Sequence, residues 1–378
     1  MNMIPRNQDV ISDNCDLEHL YTIKDFPVFM GCVNQPQDND VVADVSYHIS
    51  SSTGMIQITP LLPLDVVYQA EHAPGLVGKE WLLHHKAFAD FILKYQPRKV
   101  FEIGGAHGIL SKNCHNVDST IDWTILEPNP VPTKGLTAKM IKGFYTEETV
   151  LPTDVDMLVH SHTLEHVYNP GEFFRALGNI SVGTKMCFAI PNLRQQLAHK
   201  YTNVVNFEHT FFCTEEFVEW WLATNGFDIL EKQIYKDDHS IFYATVRSQR
   251  SVEVIVPPNS YEQNLQLFDE YIAYHTDAIR ELNHKIKDMK NPLYLFGAHI
   301  FSQFLIAFGL DTSKIKFILD NSDSKHNKRL YGTKFEIRSP RVMKQDLSPV
   351  IILKAGVYNN EIMEDILSNI NSSAIFLE

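Results

Sequence analysis

The chain has 378 residues, of which 44% are hydrophobic and 21% charged, and its formal net charge is −13. These proportions exclude a disordered or fibrous chain, and the length exceeds what one core usually serves, so two or three domains are expected. Lys and Arg are scattered rather than gathered in a stripe, which with the negative charge excludes a nucleic-acid backbone as the main partner.

The five cysteines, Cys15, Cys32, Cys114, Cys187 and Cys213, form no close pairs and make no disulfide framework. Met1 to Asp16 is polar and acidic, and no run reaches the roughly 20 apolar residues of a membrane span. A reducing, cytoplasmic setting with no membrane partner is the expectation.

Residues 1–75 mix short β-like runs such as Gly54-Met-Ile-Gln-Ile58 with Pro, Asn, Asp and Ser clusters, which predicts a small irregular lobe. From Lys79 the apolar residues recur at helical spacing, and Pro97 closes that helix before an apolar strand, Val100-Phe-Glu-Ile103. Strand-like runs follow at Thr124–Leu126, Met157–Val159 and Met186–Ile190, with room between them for crossover helices. A hairpin, Phe227–Tyr235 and Ser240–Val246, adds antiparallel strands. The predicted fold class is therefore α/β, with a parallel, doubly wound Rossmann-like sheet in a domain spanning 76–250. Val256-Pro-Pro-Asn-Ser260 is a linker by composition, Tyr261 to Met289 a long amphipathic helix, and the runs at 292–297 and 315–320 predict a second, smaller α/β unit within 251–378.

The chemistry gathers at the strand ends. Val100-Phe-Glu-Ile-Gly-Gly-Ala-His-Gly108 puts an acid, Glu102, near a strand end and glycines at 104, 105 and 108 before a helix, where backbone can approach a ligand closely. Ala106 breaks the dinucleotide pattern G-x-G-x-x-G. The next strand ends in Leu126-Glu-Pro128, and a carboxylate at 127 can accept both ribose hydroxyls of an adenosine. Ser161-His-Thr-Leu-Glu-His-Val-Tyr-Asn-Pro170 follows the third strand-like run. His160, His162 and His166 could be read as metal ligands, although a strand tip spaces them poorly for one ion. Farther on, Asn206-Phe-Glu-His-Thr-Phe-Phe212 offers His209, with Glu208 beside it, as a general base; a core histidine packed against Phe211 and Phe212 is the alternative.

These strings resemble those of class I S-adenosylmethionine-dependent methyltransferases: the Glu102 to Gly108 turn is similar to their motif I, and 161–170 matches their "SxxLEHxxxP" string. The resemblance sharpens to the sugar C-methyltransferases, whose chains join a small zinc lobe, a methyltransferase core and a C-terminal α/β domain. It implies that Glu102, Gly104, Gly105, Gly108, Glu127, Pro128, His160 and Ser161 surround S-adenosylmethionine. It implies catalytic roles for His209, Glu208 and His162, and acceptor contacts from His72, Asn206, His166 and Lys325. Only the final Glu-His of that branch's Tyr-His-Glu-His string is present, as Glu208-His209, with Asn206 and Phe207 before it. In the lobe only Cys15 and Cys32 remain of four zinc cysteines, and Ser50 and Thr53 stand where the second pair is expected, so no metal is expected.

The implied reaction is C- or O-methylation of a small molecule, a sugar linked to a nucleotide, by a chain that could dimerise. Two other readings stay open: a different phosphorylated acceptor, and a non-catalytic assembly protein that keeps the fold.

Overall fold

A computed structural model describes residues 2–68, 79–146, 148–249 and 255–378. The first part forms strands β1 (Leu17–Pro27), β2 (Cys32–Val33), β3 (Val42–Ser50) and β4 (Ile56–Ile58), then a short helix α1 (Leu64–Val67). β1, β3 and β4 pair into a three-stranded antiparallel sheet. The lobe is thus more regular than the sequence suggests. Register shifts at His19/Tyr21 and Ile23/Phe26 break the period-2 alternation by which an 11-residue strand would otherwise be recognised.

Helix α2 (Lys79–Leu93) leads into strands β5 (Lys99–Ile103), β6 (Asp122–Glu127), β7 (Lys139–Lys142), β8 (Met157–Ser161), β9 (Lys185–Pro191), β10 (Phe227–Tyr235) and β11 (Ser240–Arg247). Helices α3 (Ile109–Val117), α4 (Pro170–Leu177), α5 (Leu193–Ala198) and α6 (Glu215–Thr224) lie between them. The sheet runs β10-β11-β9-β8-β5-β6-β7, parallel from β9 to β7 and antiparallel at β11 and β10. The order reverses between β5 and β8, and in doubly wound sheets ligands lie beyond the strand ends at such a switch point. Asn169 caps α4 by accepting from the Glu172 N–H, with Pro170 opening the helix. The LEH turn at 164–166 is therefore held between a strand end and a capped helix.

The long helix α7 (Tyr261–Lys287) precedes β12 (Leu293–Phe296), α8 (Ile300–Ala307), β13 (Ile315–Leu319), β14 (Arg329–Leu330), β15 (Ile337–Arg338), β16 (Val350–Leu353), α9 (Asn359–Asp365) and β17 (Ile375–Leu377). A parallel sheet β15-β13-β12-β16-β17 repeats the doubly wound pattern. The architecture is an α/β core with a small N-terminal sheet and a separate C-terminal parallel α/β domain.

Backbone pairing joins the parts. β2 pairs with β14, so the lobe and the C-terminal domain share a two-stranded ribbon, and the Arg329 guanidinium clamps the Asp40 carboxylate beside it. On the other side, the Ile58 N–H donates to the Thr210 carbonyl and the Phe212 N–H to the Ile56 carbonyl, both at 2.9 Å. β4 thereby fixes the segment that follows His209. Among the described residues, no helix is long and apolar enough to cross a membrane.

The lobe positions at which the resembled branch holds zinc engage in hydroxyl, carboxylate and carbonyl contacts here. Ser50 Oγ donates to Asp16, Thr53 Oγ1 donates to Asp9 Oδ2 at 2.9 Å, and Cys32 Sγ faces the Ala298 carbonyl at 3.4 Å. Hydrogen bonds from Ser50, Ser51 and Ser52 hold the Asp16 carboxyl below its ordinary range, against the opposing effect of desolvation. Cys15 is exposed.

Candidate active site

A cavity of about 650 Å³ opens between the ends of the core strands and the C-terminal domain. Its floor is the turn after β5. Gly104 lies at φ +73°, in the left-handed region, and a Cβ there would come within 2.7 Å of Thr163 Oγ1. A Cβ on Gly105 would come within 2.6 Å of Ile125 Cγ2 and 2.7 Å of Glu102 Cδ. Only glycine lets the chain press this close to the sheet, which leaves bare backbone facing the cavity.

The turn is tied to the tip of β6. Glu127 Oε2 accepts the Ala106 N–H at 2.9 Å and Oε1 accepts the Asn129 N–H at 2.9 Å, so one carboxylate fixes both loops. The C-terminal domain repeats this device at a second strand pair. Asp320, after β13, accepts the Ala298 N–H and the Ser322 N–H, each at 2.9 Å, beside the Gly297 turn. Gly104, Gly105, Gly297, Asp320 and Lys325 all line the same cavity. Lys325 Nζ is held 2.9 Å from Asp320 Oδ2.

Glu102 also reaches the cavity, but its Oε2 accepts the Trp123 indole N–H at 2.8 Å, and burial pushes its pKa up to about 7, with the Trp123 bond opposing and the Glu127 charge adding to the rise. A carboxyl raised from 4.5 stabilises the fold in its protonated state; that contribution is complete below the unfolded pKa and is lost as pH climbs through about 7. Glu102→Gln keeps an oxygen for Trp123 and removes the titration. Urea unfolding from about pH 5 to pH 8 should therefore show the natural chain losing roughly 2–3 kcal/mol more than the variant. Equal losses would show that Glu102 titrates normally.

The catalytic strings converge opposite that floor. Asn206, Glu208 and His209 line the cavity with Ser161, His162 and His166. Asn206 is buried and committed to its own turn: Oδ1 accepts the N–H groups of Glu208 and His209 at 2.7 and 3.0 Å, and Nδ2 donates to the Asn203 carbonyl. It shapes the loop that the family string fills with a different residue. Phe207 turns away and packs on Phe26 of the lobe, ring centroids 6.1 Å apart.

His209 Nδ1 lies 2.8 Å from the Val204 carbonyl. A carbonyl can only accept, so Nδ1 carries the proton and Nε2 keeps its lone pair. Burial lowers the pKa of this ring, and the charge of Glu165 works against that. Glu165, which is 1% exposed, has a carboxylate oxygen 3.5 Å from His162 Nδ1 and 3.7 Å from His166 Nε2. Glu208 Oε2 lies 3.6 Å from His166 Nδ1. Glu165, His166 and His209 bring ligand-type atoms within 4.8 Å of one another. The arrangement sets an imidazole with a free Nε2 lone pair in the same cavity wall as the Glu165 and Glu208 carboxylates.

Other expected residues lie elsewhere. His160 is fully buried, stacked on Phe188 with ring centroids 4.7 Å apart, and does not reach the cavity. Its position on β8 sends the ring into the core. Gly108 begins α3 with its Cα against Leu136, and it, Glu127 and Pro128 stand behind the cavity lining. Glu127 acts on the cavity through Ala106. His72 lies outside the described residues. Sequence reasoning missed Glu165, His85, Trp81 and His107, all at the cavity wall. Glu165 and His107 sit inside strings singled out, Glu165 as a buried acid beside two histidines; His85 and Trp81 lie outside those strings.

S-adenosylmethionine suits this cradle. The turn presents the backbone of Gly104 and Gly105 and the Ala106 methyl, with the His107 ring at its end, and a carboxylate stands at the adjoining strand tip. Residues 82–232 match the model of a methyltransferase domain, and residues 257–376 match that of a C-methyltransferase C-terminal domain. No curated protein sequence matches the chain. Among solved structures, the chain is similar to the mitomycin 7-O-methyltransferase, at 15% identity and TM-score 0.39 over 45% of this chain and 55% of that one, so it spans about half of that relative's length. It is also similar to an S-adenosylmethionine-dependent methyltransferase from Clostridium acetobutylicum, at 12% identity and TM-score 0.35 over 43% of this chain and 92% of that one. The chain thus joins a region that matches a methyltransferase domain to one that matches a C-methyltransferase C-terminal domain.

Proposed function

We propose that this chain methylates a carbon of a sugar held through a linked nucleotide, with His209 Nε2 as the base. The observation that carries this reading is the shared cavity. The glycine turn, His209 and the Gly297/Asp320 turn of the C-terminal domain all face one space, large enough for a cofactor and an acceptor end to end. The Gly297/Asp320 turn copies the geometry of the Gly104/Glu127 turn, which suits a second nucleotide-type guest, and Lys325 beside it suits a phosphate.

When bound, S-adenosylmethionine supplies a methyl group activated on a sulfonium. Glu127, through Ala106, and the backbone of Gly104 and Gly105 would hold the adenosine end. His209 Nε2 takes the proton from the acceptor carbon next to a sugar carbonyl, and the electron pair left there forms the new C–C bond as the S–CH₃ bond breaks. Glu165 and Glu208 balance the imidazolium charge while the methyl moves. Oxygen methylation would use the same base on a hydroxyl.

The test incubates the chain with S-adenosylmethionine and a panel of nucleotide-linked keto-sugars. Acceptor mass should rise by one methylene unit, with loss of the exchangeable proton at the modified carbon. Methylation confined to small phosphorylated metabolites outside that panel would replace the sugar in this reading, and the absence of any methylated product would leave an assembly role.

A further inference from the structure

Apart from the base, three histidines from distant parts of the chain meet at the edge of the cavity. His84 comes from α2, His162 from the turn after β8, and His239 from the turn between β10 and β11. Each offers a ring nitrogen within 4.8 Å of the other two. His162 Nε2 and His239 Nδ1 converge on one atom, Ser240 Oγ, at 2.9 and 2.6 Å. His84 is fully buried beside them, and neither of its ring nitrogens has a hydrogen-bond partner. Buried polar groups normally find one, so two buried nitrogens without a partner on one ring point to a ligand.

The spacing fits a metal. With M–N bonds near 2.0–2.1 Å and tetrahedral angles, imidazole centroids around one ion stand about 5.2 Å apart. His84 lies 5.1 Å from His162 and 5.0 Å from His239, and the His162–His239 pair, at 6.1 Å, has about 1 Å to close. Behind His162, a Glu165 carboxylate oxygen lies 3.5 Å from Nδ1, which is where metal-binding histidines often keep an orienting acid. His162 itself holds φ +49°, a left-handed conformation that costs energy outside glycine and turns its ring toward the other two.

We propose that His84, His162 and His239 form a binding site for one divalent transition metal of the zinc or cobalt class. Three neutral imidazoles are the ligand set that borderline metals favour, and the cavity reaches the cluster at His162 and Trp81, so a water or an acceptor oxygen can complete the coordination. The ion joins α2, the β8 turn and the β10–β11 turn at a single point. This departs from the expectation that the chain binds no metal, because the three ligands share no local sequence pattern.

The experiment titrates Co(II) into the full chain after chelator treatment and reads the visible ligand-field bands of tetrahedral cobalt. The bands should saturate at one equivalent and be displaced by Zn(II). His84→Phe and His239→Gln should each abolish them, whereas His209→Asn should leave them in place. His239 is partly exposed, so the second variant decides the matter if the first does not fold by circular dichroism. No bands at saturating cobalt, or bands that survive both substitutions and vanish in His209→Asn, would overturn the proposal, the latter by moving the ion to Glu165, His166 and His209.

Discussion

His209→Asn should lower turnover by about 10²–10⁴-fold while leaving the affinity for the cofactor product within about twofold. The asparagine amide can still donate to the Val204 carbonyl as Nδ1–H does now, so the loop keeps its anchor. What disappears is the Nε2 lone pair, the atom that faces the cavity. Because the neighbouring Asn206 turn and the β4 pairing at Thr210 do not involve the imidazole, the fold should be unchanged. The pH profile gives a second readout. The pKa of this ring is lowered by burial, so the rate limb set by its protonation should lie below the ordinary histidine range and vanish in the variant. Turnover within tenfold of the natural chain, measured by cofactor-product release, would move the base elsewhere, and His166 would then be the next group to replace, being the ring nearest to His209 at 5.5 Å.

How much of this site could be read in advance depends on how its residues are carried. Glu102, the glycines and Glu127 follow apolar strands in unbroken runs, and a chain that ends a buried strand in Gly or Glu announces a turn at the sheet edge. Edge structure is harder. β7, Lys139-Met-Ile-Lys142, has only two apolar residues between exposed lysines, too little pattern to mark a strand. His160 and His162 show the limit of periodicity. Two residues apart on a strand, they would share a face, but the strand ends at Ser161 and His162 takes φ +49°, so one ring enters the core and the other faces the cavity. The His84/His162/His239 cluster was invisible because a helix, a strand exit and a hairpin turn supply one ligand each. The departures from the Tyr-His-Glu-His string have structural reasons: Phe207 serves the lobe core, and Asn206 builds the loop with its side chain.

The second large effect is expected at Glu127. Its carboxylate is not on the cavity wall, yet it sets the wall's shape by accepting from Ala106 and Asn129 at once. Ala106 itself holds φ +45°, unfavourable for a residue with a Cβ, and keeps that geometry because the N–H has a charged acceptor to meet. Glu127→Ala removes both bonds and leaves two N–H groups to find water, at about 1–3 kcal/mol each. Part of that loss falls on folding and part on the preformed cradle, so S-adenosylhomocysteine affinity should drop by at least about 100-fold by calorimetry. Glu127→Gln separates the two roles. Its one remaining oxygen can hold the Ala106 N–H, so the fold should be largely kept, but the amide nitrogen cannot accept from Asn129. An intermediate affinity, with unfolding near that of the natural chain, is the expected result. If Glu127→Gln bound as tightly as the natural chain, the Asn129 bond would carry no part of the cradle, and the Ala106 bond alone would hold its shape.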